Sequence, residues 1–356
     1  MNKEIEDYQY RLIKHRDIRA VKDTWNTLYS HNSQITPYQE YSYCAIIRKF
    51  CAILIRHRLK NVIYEVRNKD EQPIMLLPLH IERKGKQSIA YLWGHFSQSG
   101  HLDIIYADQI QNDAFLFAMK FIIKDLGNVR FVFNDISEHS KLNDMIQYSF
   151  KPSNYSVSKR TCVQIPLSTS FNDYLNSLGK NVRQNLRTSF NRLRNENRTY
   201  KVTTFVNQSI PSNMLKQLFT TYYKRHSDKG LRSGLKKYLP VCVRMRLNPT
   251  IFAFRELMNV YYSVIYIDNR IAGFCAGFTS DNEKVIIPFL AINSAFSRYS
   301  PGGILITETI KFLIEHHNYK YFDLSRGDEK YKYAYGGIDH FSYSYNIHLE
   351  GLSERR

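Results

Sequence analysis

The sequence predicts a mixed α/β protein of two domains, each a central mixed sheet flanked by helices. Three observations predict it. The chain has 356 residues, more than one ordinary core holds and enough for two domains of roughly 100–200 residues each. Its composition, 43% hydrophobic and 23% charged, is that of a globular protein. One order of elements occurs twice, which predicts an N-terminal domain over residues 1–160 and a C-terminal domain over residues 161–356.

In the first half, Asn61–Val66 (NVIYEV) reads as a strand from its β-branched and aromatic residues. Asn68–Gln72 is the turn, and Pro73–Ile81 (PIMLLPLHI) is the return strand. An irregular strand region spans Ile89–Tyr106. Asp113–Leu126 reads as a helix from Phe117, Phe121 and Ile122. Gly127 closes it before a strand at Val129–Phe133 (VRFVF). The second half repeats the order. Val260–Ile267 (VYYSVIYI) turns at Asp268-Asn269 into Arg270–Thr279 (RIAGFCAGFT), and Lys284–Ala291 (KVIIPFLA) is a third strand. A helix over Gly303–His316 and a strand at Lys320–Leu324 (KYFDL) follow. Tyr331, Tyr333 and Tyr335 alternate as one face of a further strand.

Several classes are excluded. No apolar run approaches the ~18 residues of a membrane span; the longest candidate, beginning at Cys44, is broken by Arg48 and Lys49. Lys3, Glu4, Glu6, Asp7, Arg11 and Lys14 at the N-terminus predict no signal peptide. The five cysteines, Cys44, Cys51, Cys162, Cys242 and Cys275, are odd in number and scattered. They predict reduced thiols in a cytoplasmic protein and no metal cluster.

The net charge of +18 is concentrated. Residues 151–250 hold 19 Lys or Arg against three acids, so this window alone carries +16. Such a segment is the footprint of an anionic partner, whether nucleotide, phosphorylated substrate, anionic membrane surface or nucleic acid. Within it, Lys180–Arg198 reads as one helix, with Val182, Leu186, Phe190 and Leu193 on its apolar face. Lys180, Arg183, Arg187, Arg194 and Arg198 form an adjacent stripe about 27 Å long at 1.5 Å per residue. Like charges four residues apart oppose a helix, so a ligand-facing stripe is weighed against a solvated face. A non-enzymatic nucleic-acid module, with the 27 tyrosines and 21 phenylalanines supplying stacking platforms, is a third functional reading.

Two segments carry candidate chemistry. Arg298-Tyr-Ser-Pro-Gly-Gly303 precedes the long second-half helix, whose N-terminal amides and dipole suit phosphate. Gly302 and Gly303 there remove side chains; the corresponding first-half stretch, Ala107–Asp113, has no glycine and two aspartates. Asp323-Leu-Ser-Arg-Gly-Asp-Glu-Lys-Tyr-Lys332 packs Asp323, Arg326, Glu329 and Lys332 beyond a strand end. The segment offers a candidate base, Asp323 or Glu329, and positive charge, Arg326 and Lys332, the groups that a transfer through a charged transition state needs. Lys332 is expected to point at the reacting carbonyl, Arg326 to pair with Asp323 or Glu329, and Lys330 to face solvent.

Ser-Pro-Gly at 300–302, a helix, and then D-x-x-R-G-x-E-x-Y-K at 323–332 resemble the acetyltransferase family of cellulose and exopolysaccharide gene clusters, within the GNAT superfamily. Arg183 and Arg187 resemble that family's R-x-x-x-R stretch. The twice-repeated hairpin, strand, helix and strand resembles tandem GNAT domains, an arrangement also similar to the Fem aminoacyltransferases. The superfamily's Arg/Gln-x-x-Gly-x-Gly/Ala fingerprint is not met, since Tyr299 and Ile304 stand in it. The resemblance implies a GNAT-type N- or O-acetyltransferase, with its chemistry in the C-terminal domain and the N-terminal domain non-catalytic. It implies acyl-CoA as co-substrate and a small-molecule or glycan acceptor, an amine or hydroxyl of an envelope sugar. Leu290, Ala291, Ser300, Gly302 and Gly303 would hold the donor, and Lys180, Arg183 and Arg187 an anionic group. The alternative donor is aminoacyl-tRNA, with a peptidoglycan precursor as acceptor.

Overall fold

The computed structural model describes residues 4–6, 9–32, 36–54, 59–95, 100–228, 239–280 and 284–348. The chain falls into two compact units, the first made of Met1–Arg160 with Phe341–Arg356, the second of Thr161–His340. This corrects the expectation of a C-terminal domain reaching residue 356. The last strand belongs to the first unit because Ser342–His348 pair antiparallel with Arg130–Ser137.

The first unit opens with β1 (Glu4–Glu6), β2 (Tyr10–His15), α1 (Lys22–Ser30) and α2 (Tyr41–Leu54). Then come β3 (Leu59–Asn68), β4 (Pro73–Lys84), β5 (Gln87–Leu92) and β6 (Ile105–Tyr106). After them follow α3 (Asn112–Leu126), β7 (Val129–Ser137) and α4 (Leu142–Ser149), and β8 (Tyr155–Pro166) carries the chain into the second unit. The β3–β4 turn closes because the Asn68 side-chain oxygen accepts from the amides of Asp70 and Gln72 at 3.1 and 2.9 Å. Met75–Ile81 in β4 are buried without alternation, as befits a strand covered on both faces. α3 ends where the Gly127 amide donates to Ile123 O at 2.8 Å with φ +71, a backbone angle that glycine adopts without strain. The irregular region expected over Ile89–Tyr106 contains β5 and β6; residues 96–99 lie outside those described.

The second unit continues with α5 (Phe171–Ser177), α6 (Lys180–Asn195), β9 (Tyr200–Val206), α7 (Ser212–Asp228), α8 (Val241–Arg246) and α9 (Pro249–Glu256). Next come β10 (Val260–Ile267), β11 (Arg270–Ser280), β12 (Lys284–Ile292), α10 (Pro301–His316), β13 (Tyr321–Arg326) and α11 (Lys330–Ala334). β14 (Ile338–His348) then leads back to the first unit. Strand order is β1-β2-β3-β4-β5-β7-β14 in the first unit, with β6 on β4, and β8-β13-β12-β11-β10-β9 in the second. In each, one parallel pair (β5 with β7, β12 with β13) is joined by a crossover helix, α3 or α10, while the other pairings that can be traced are antiparallel. The mixed α/β class, with mixed sheets flanked by helices, is the expected one. Leu186 and Leu193 of α6 join Ile304, Leu305 and Ile310 of α10 in the second unit's core.

Two local expectations are corrected. α6 stops at Asn195 rather than Arg198: the Glu196 amide caps it on Arg192 O, and Asn197 turns the chain at φ +50. The tyrosines expected on a strand lie on α11 and its C-cap, because Gly327 at φ +99 reverses the chain and the Lys332 amide bonds to Glu329 O. Among the described residues, no helix is long and apolar enough to cross a membrane.

Candidate active site in the second unit

The second unit's sheet opens along one seam. β12 and β13 pair only at Lys284–Tyr321, Val285–Phe322 and Ile286–Asp323. Beyond that point β12 stays with β11, Leu290 opposite Cys275 and Ala291 opposite Phe274, as far as Ile292. β13 instead stays with β8 through a bulge, in which Leu324 and Ser325 oppose the single residue between Cys162 and Gln164. The β12 edge from Ile287 to Ile292 is thereby left without its parallel partner. Where β12 ends, Arg225 of α7 donates Nη1 to Ile292 O at 3.3 Å. Arg225 also lines a cleft of about 210 Å³ with Thr220, Thr221 and Lys224 of α7 and residues 292–294.

The N-terminus of α10 lies just after β12. Ser300 enters it at φ +49, and Pro301 occupies the first turn, where its missing N–H costs nothing. A Cβ on Gly302 would sit 3.3 Å from Ile292 Cγ1, and one on Gly303 only 2.1 Å from the Tyr335 hydroxyl. Gly303 therefore leaves room for Tyr335 as well as standing at the helix start expected to meet phosphate. α6 braces the approach. Arg192 donates to Arg298 O at 2.8 Å, while Glu196 pairs with Arg298 and accepts from the Tyr299 hydroxyl, both at 2.6 Å. Leu186 comes within 3.6 Å of the Gly303 Cβ position, so Arg183 and Arg187, on the same turns, belong to this end of α10. Lys180, Arg183, Arg187 and Arg194 make no ion pair among the described residues, whereas Arg198, outside the helix, pairs with Asp268 at 2.7 Å.

The segment from Asp323 to Lys332 is ordered around its backbone. Asp323 is fully buried; its Oδ1 accepts the Ser325 amide at 2.7 Å and its Oδ2 lies 3.3 Å from His340 Nε2. Lys332 corrects the expectation that it would point at a reacting carbonyl. It is 2% exposed, and its Nζ donates to the carbonyl oxygens of Ser325, Arg326 and Gly327 at 3.2, 2.7 and 2.9 Å. A buried ammonium has three donors to satisfy, and this loop supplies three acceptors. Glu329, exposed, pairs with Lys332 at 3.0 Å. Arg326 is half-buried and stands opposite Cys162 on β8; Lys330 is exposed.

Two residues at this site carry no signal in the sequence: Arg225 is one cation in a basic run, and His340 has no motif. Tyr331 has two readings in the sequence, strand packing and, from the GNAT resemblance, protonation of a leaving thiolate. Tyr331 is 38% exposed; partial burial of its hydroxyl and the charge of Glu329 push it up to about 12, with Arg225 opposing. It is thus within electrostatic reach of the residue bonded to the end of β12. Burial also raises the Tyr335 hydroxyl.

Residues 180–333 match the family described as an acetyltransferase (GNAT) domain. No curated protein matches the chain. Among solved structures it is similar to FemX, at 10% identity and a TM-score of 0.62, over 94% of this chain and 97% of that one. It is also similar to a conserved protein of unknown function from Bacteroides thetaiotaomicron, at 12% identity and a TM-score of 0.54, over 94% and 99% of the two chains. A third similarity is to the C-terminal domain (DUF2156) of a putative lysylphosphatidylglycerol synthetase from Agrobacterium fabrum, at 12% identity and a TM-score of 0.52, over 93% and 92%. Residues 180–333 thus carry the match to the acetyltransferase (GNAT) domain family, on a fold shared with chains as distant in sequence as FemX.

Proposed function

We propose that this protein is an acyltransferase whose transfer site is the gap between β12 and β13. The observation that carries the reading is the parting of the two strands after Ile286 and Asp323. It leaves an edge of β12 beside the N-terminus of α10 and the unpaired cations of α6. Acyl-CoA is the donor: its pantetheine arm lies along β12 at Leu290 and Ala291 in place of a strand. Its phosphates meet Ser300, Gly302 and Gly303, with Lys180, Arg183 and Arg187 adding positive charge. The acceptor is an amine or hydroxyl of a small or envelope sugar. Its nitrogen or oxygen attacks the thioester carbonyl, the new C–N or C–O bond forms, and the C–S bond breaks. A β12 amide stabilises the oxyanion. Glu329, the exposed carboxylate, takes the acceptor's proton. Tyr331, which keeps its own proton at neutral pH, gives one to the leaving thiolate. Asp323, Arg326 and Lys332 shape the loop at the mouth of the gap.

The test is thiol release from acetyl-CoA with amino sugars as acceptors, together with donor binding to Gly302→Asp, which adds a carboxylate where phosphate is assigned. Lost binding by a folded variant supports the reading; undiminished binding sinks it.

A second reading, aminoacyl-tRNA as donor, is favoured by the extent of the unpaired α6 cations, which exceeds what one pyrophosphate needs. It predicts donor binding that falls steeply with salt, because many counterions are released, where acyl-CoA predicts a shallow slope.

A further inference from the structure

β7 and β13, the strands that follow the two crossover helices, contain the same irregularity. In β7, Asn134 and Asp135 oppose the single residue between Tyr343 and Tyr345; in β13, Leu324 and Ser325 oppose the single residue between Cys162 and Gln164. The second bulged residue is left-handed in both, Asp135 at φ +58 and Ser325 at φ +57. The residue entering the bulge is Phe133 in the first unit and Asp323 in the second, each with no exposed surface. A buried apolar ring and a buried carboxylate thus occupy equivalent places. A carboxylate there carries a desolvation cost that phenylalanine does not.

We propose that Asp323 and His340 form a positioning pair for the transfer site. The carboxylate holds the Ser325 amide at 2.7 Å through one oxygen, and its other oxygen faces the His340 ring at 3.3 Å, with His340 only 2% exposed. From the opposite end, Lys332 holds the carbonyl oxygens of Ser325, Arg326 and Gly327. The loop is gripped by its amide on one side and its carbonyls on the other, at the point where β12 and β13 part. His340 acts through Asp323, and Asp323 through the loop that carries Arg326. Such a pair fixes the direction of a charged side chain, and small misplacements of reacting groups are costly in rate. The inference deepens the acyl-transfer reading and rests on it for its kinetic consequence.

The experiment uses the full chain with His340→Leu, His340→Gln, Asp323→Asn and Asp323→Phe, the last copying the first unit. Hydrogen exchange of the peptide covering residues 325–332 is read first, since it needs no substrate. His340→Leu and Asp323→Asn are expected to raise it, and His340→Gln, which keeps a side-chain nitrogen near the carboxylate, to leave it near the native level. Steady-state kinetics are expected to show His340→Leu lowering kcat by roughly 10–100-fold with the donor KM within about twofold, and His340→Gln recovering most of the loss. Unchanged exchange in both His340→Leu and Asp323→Asn overturns the proposal, as does raised exchange with native kcat. So does a stoichiometric divalent metal in the purified protein, since Cys162 lies within 4.8 Å of the His340 ring and the group would then be a ligand set. A native protein that transfers from neither donor defeats the acyl-transfer reading alone, and the exchange data still decide the role of the pair.

Discussion

The two units follow one course of strands, yet among the described residues it is the second whose parallel pair parts along an open seam. β5 pairs with β7 from Ser88–Val129 to Tyr91–Val132 and ends one residue later, at Leu92. β12 pairs with β13 only as far as Ile286–Asp323 and runs on to Ile292. The helix that follows is entered through Gln111 and Asp113 in the first unit and through Ser300-Pro-Gly-Gly303 in the second. Around the parallel pair, the differences include the length of one strand beyond its partner, the residues at one helix start and the residue entering one bulge. A scaffold can be held constant while a site is opened by such changes, because loops and strand ends contribute least to the core. This contrast is why the proposed chemistry lies in the second unit.

The largest expected effect breaks the contrast in the first unit. Phe133→Asp would copy the second unit's bulge without copying its histidine. It should cost more than about 5 kcal/mol, the loss of a buried ring plus an uncompensated buried carboxylate, and unfold the first unit. Thermal melts read it; a cooperative native-like melt would show that Asp323 needs no partner either.

The first unit buries Glu65, Asp103 and Asp135 among its described residues. Asp103 is pushed up to about 7 by burial, against the pull of Ser140, the Ile104 amide and Tyr106. A raised folded pKa means the folded state holds the proton more tightly. Its stabilising effect is full below about pH 4, falls as pH rises to about 7, and is gone above that. Asp103→Asn should therefore gain stability relative to the native chain between pH 4 and 7, by at most about 4 kcal/mol, and no further above. A constant difference across that range would show that Asp103 is ionised in the folded protein.

Lys332→Met tests the second unit's loop. Three carbonyl oxygens would lose their donor, at a cost of about 3 kcal/mol. A catalytic lysine would lower kcat with the melting temperature unchanged; the structural lysine described above lowers both. Gly303→Ala comes next: its Cβ would meet the Tyr335 hydroxyl, costing about 1–3 kcal/mol. Tyr335→Phe in the same chain should recover part of this, and a double-mutant cycle without coupling would discount the contact. Lys330→Ala is the smallest, within about 0.5 kcal/mol and without effect on rate.

The elements expected from the sequence were legible because their signals are local, whereas β2, α1, α2, α4, β9 and α7 to α9 were not among them. β10 and β11 follow from a β-branched run, an Asp268-Asn269 turn with both residues left-handed, and a second run. α3 and α10 follow from apolar periodicity and their end residues. The basic helix was legible for the same reason up to Asn195. The tyrosines at 331, 333 and 335 misled because an alternation over five residues is compatible with a single helical turn once Gly327 has reversed the chain.

The sequence by itself determined the repeated order of strands and helices, the concentration of positive charge in residues 151–250, and the segments in which polar groups collect at strand ends. Periodicity and turn chemistry act over a few residues and need no partner to be read. Only the tertiary structure decided that Lys332 turns inward to three carbonyls, that Gly303 makes room for Tyr335, that His340 meets Asp323, and that residues from 341 return to the first unit. Each of these depends on where two distant stretches of chain come to lie. That is set by bulges and register, which shift a side chain's direction without leaving a signature of their own in the residues that receive it.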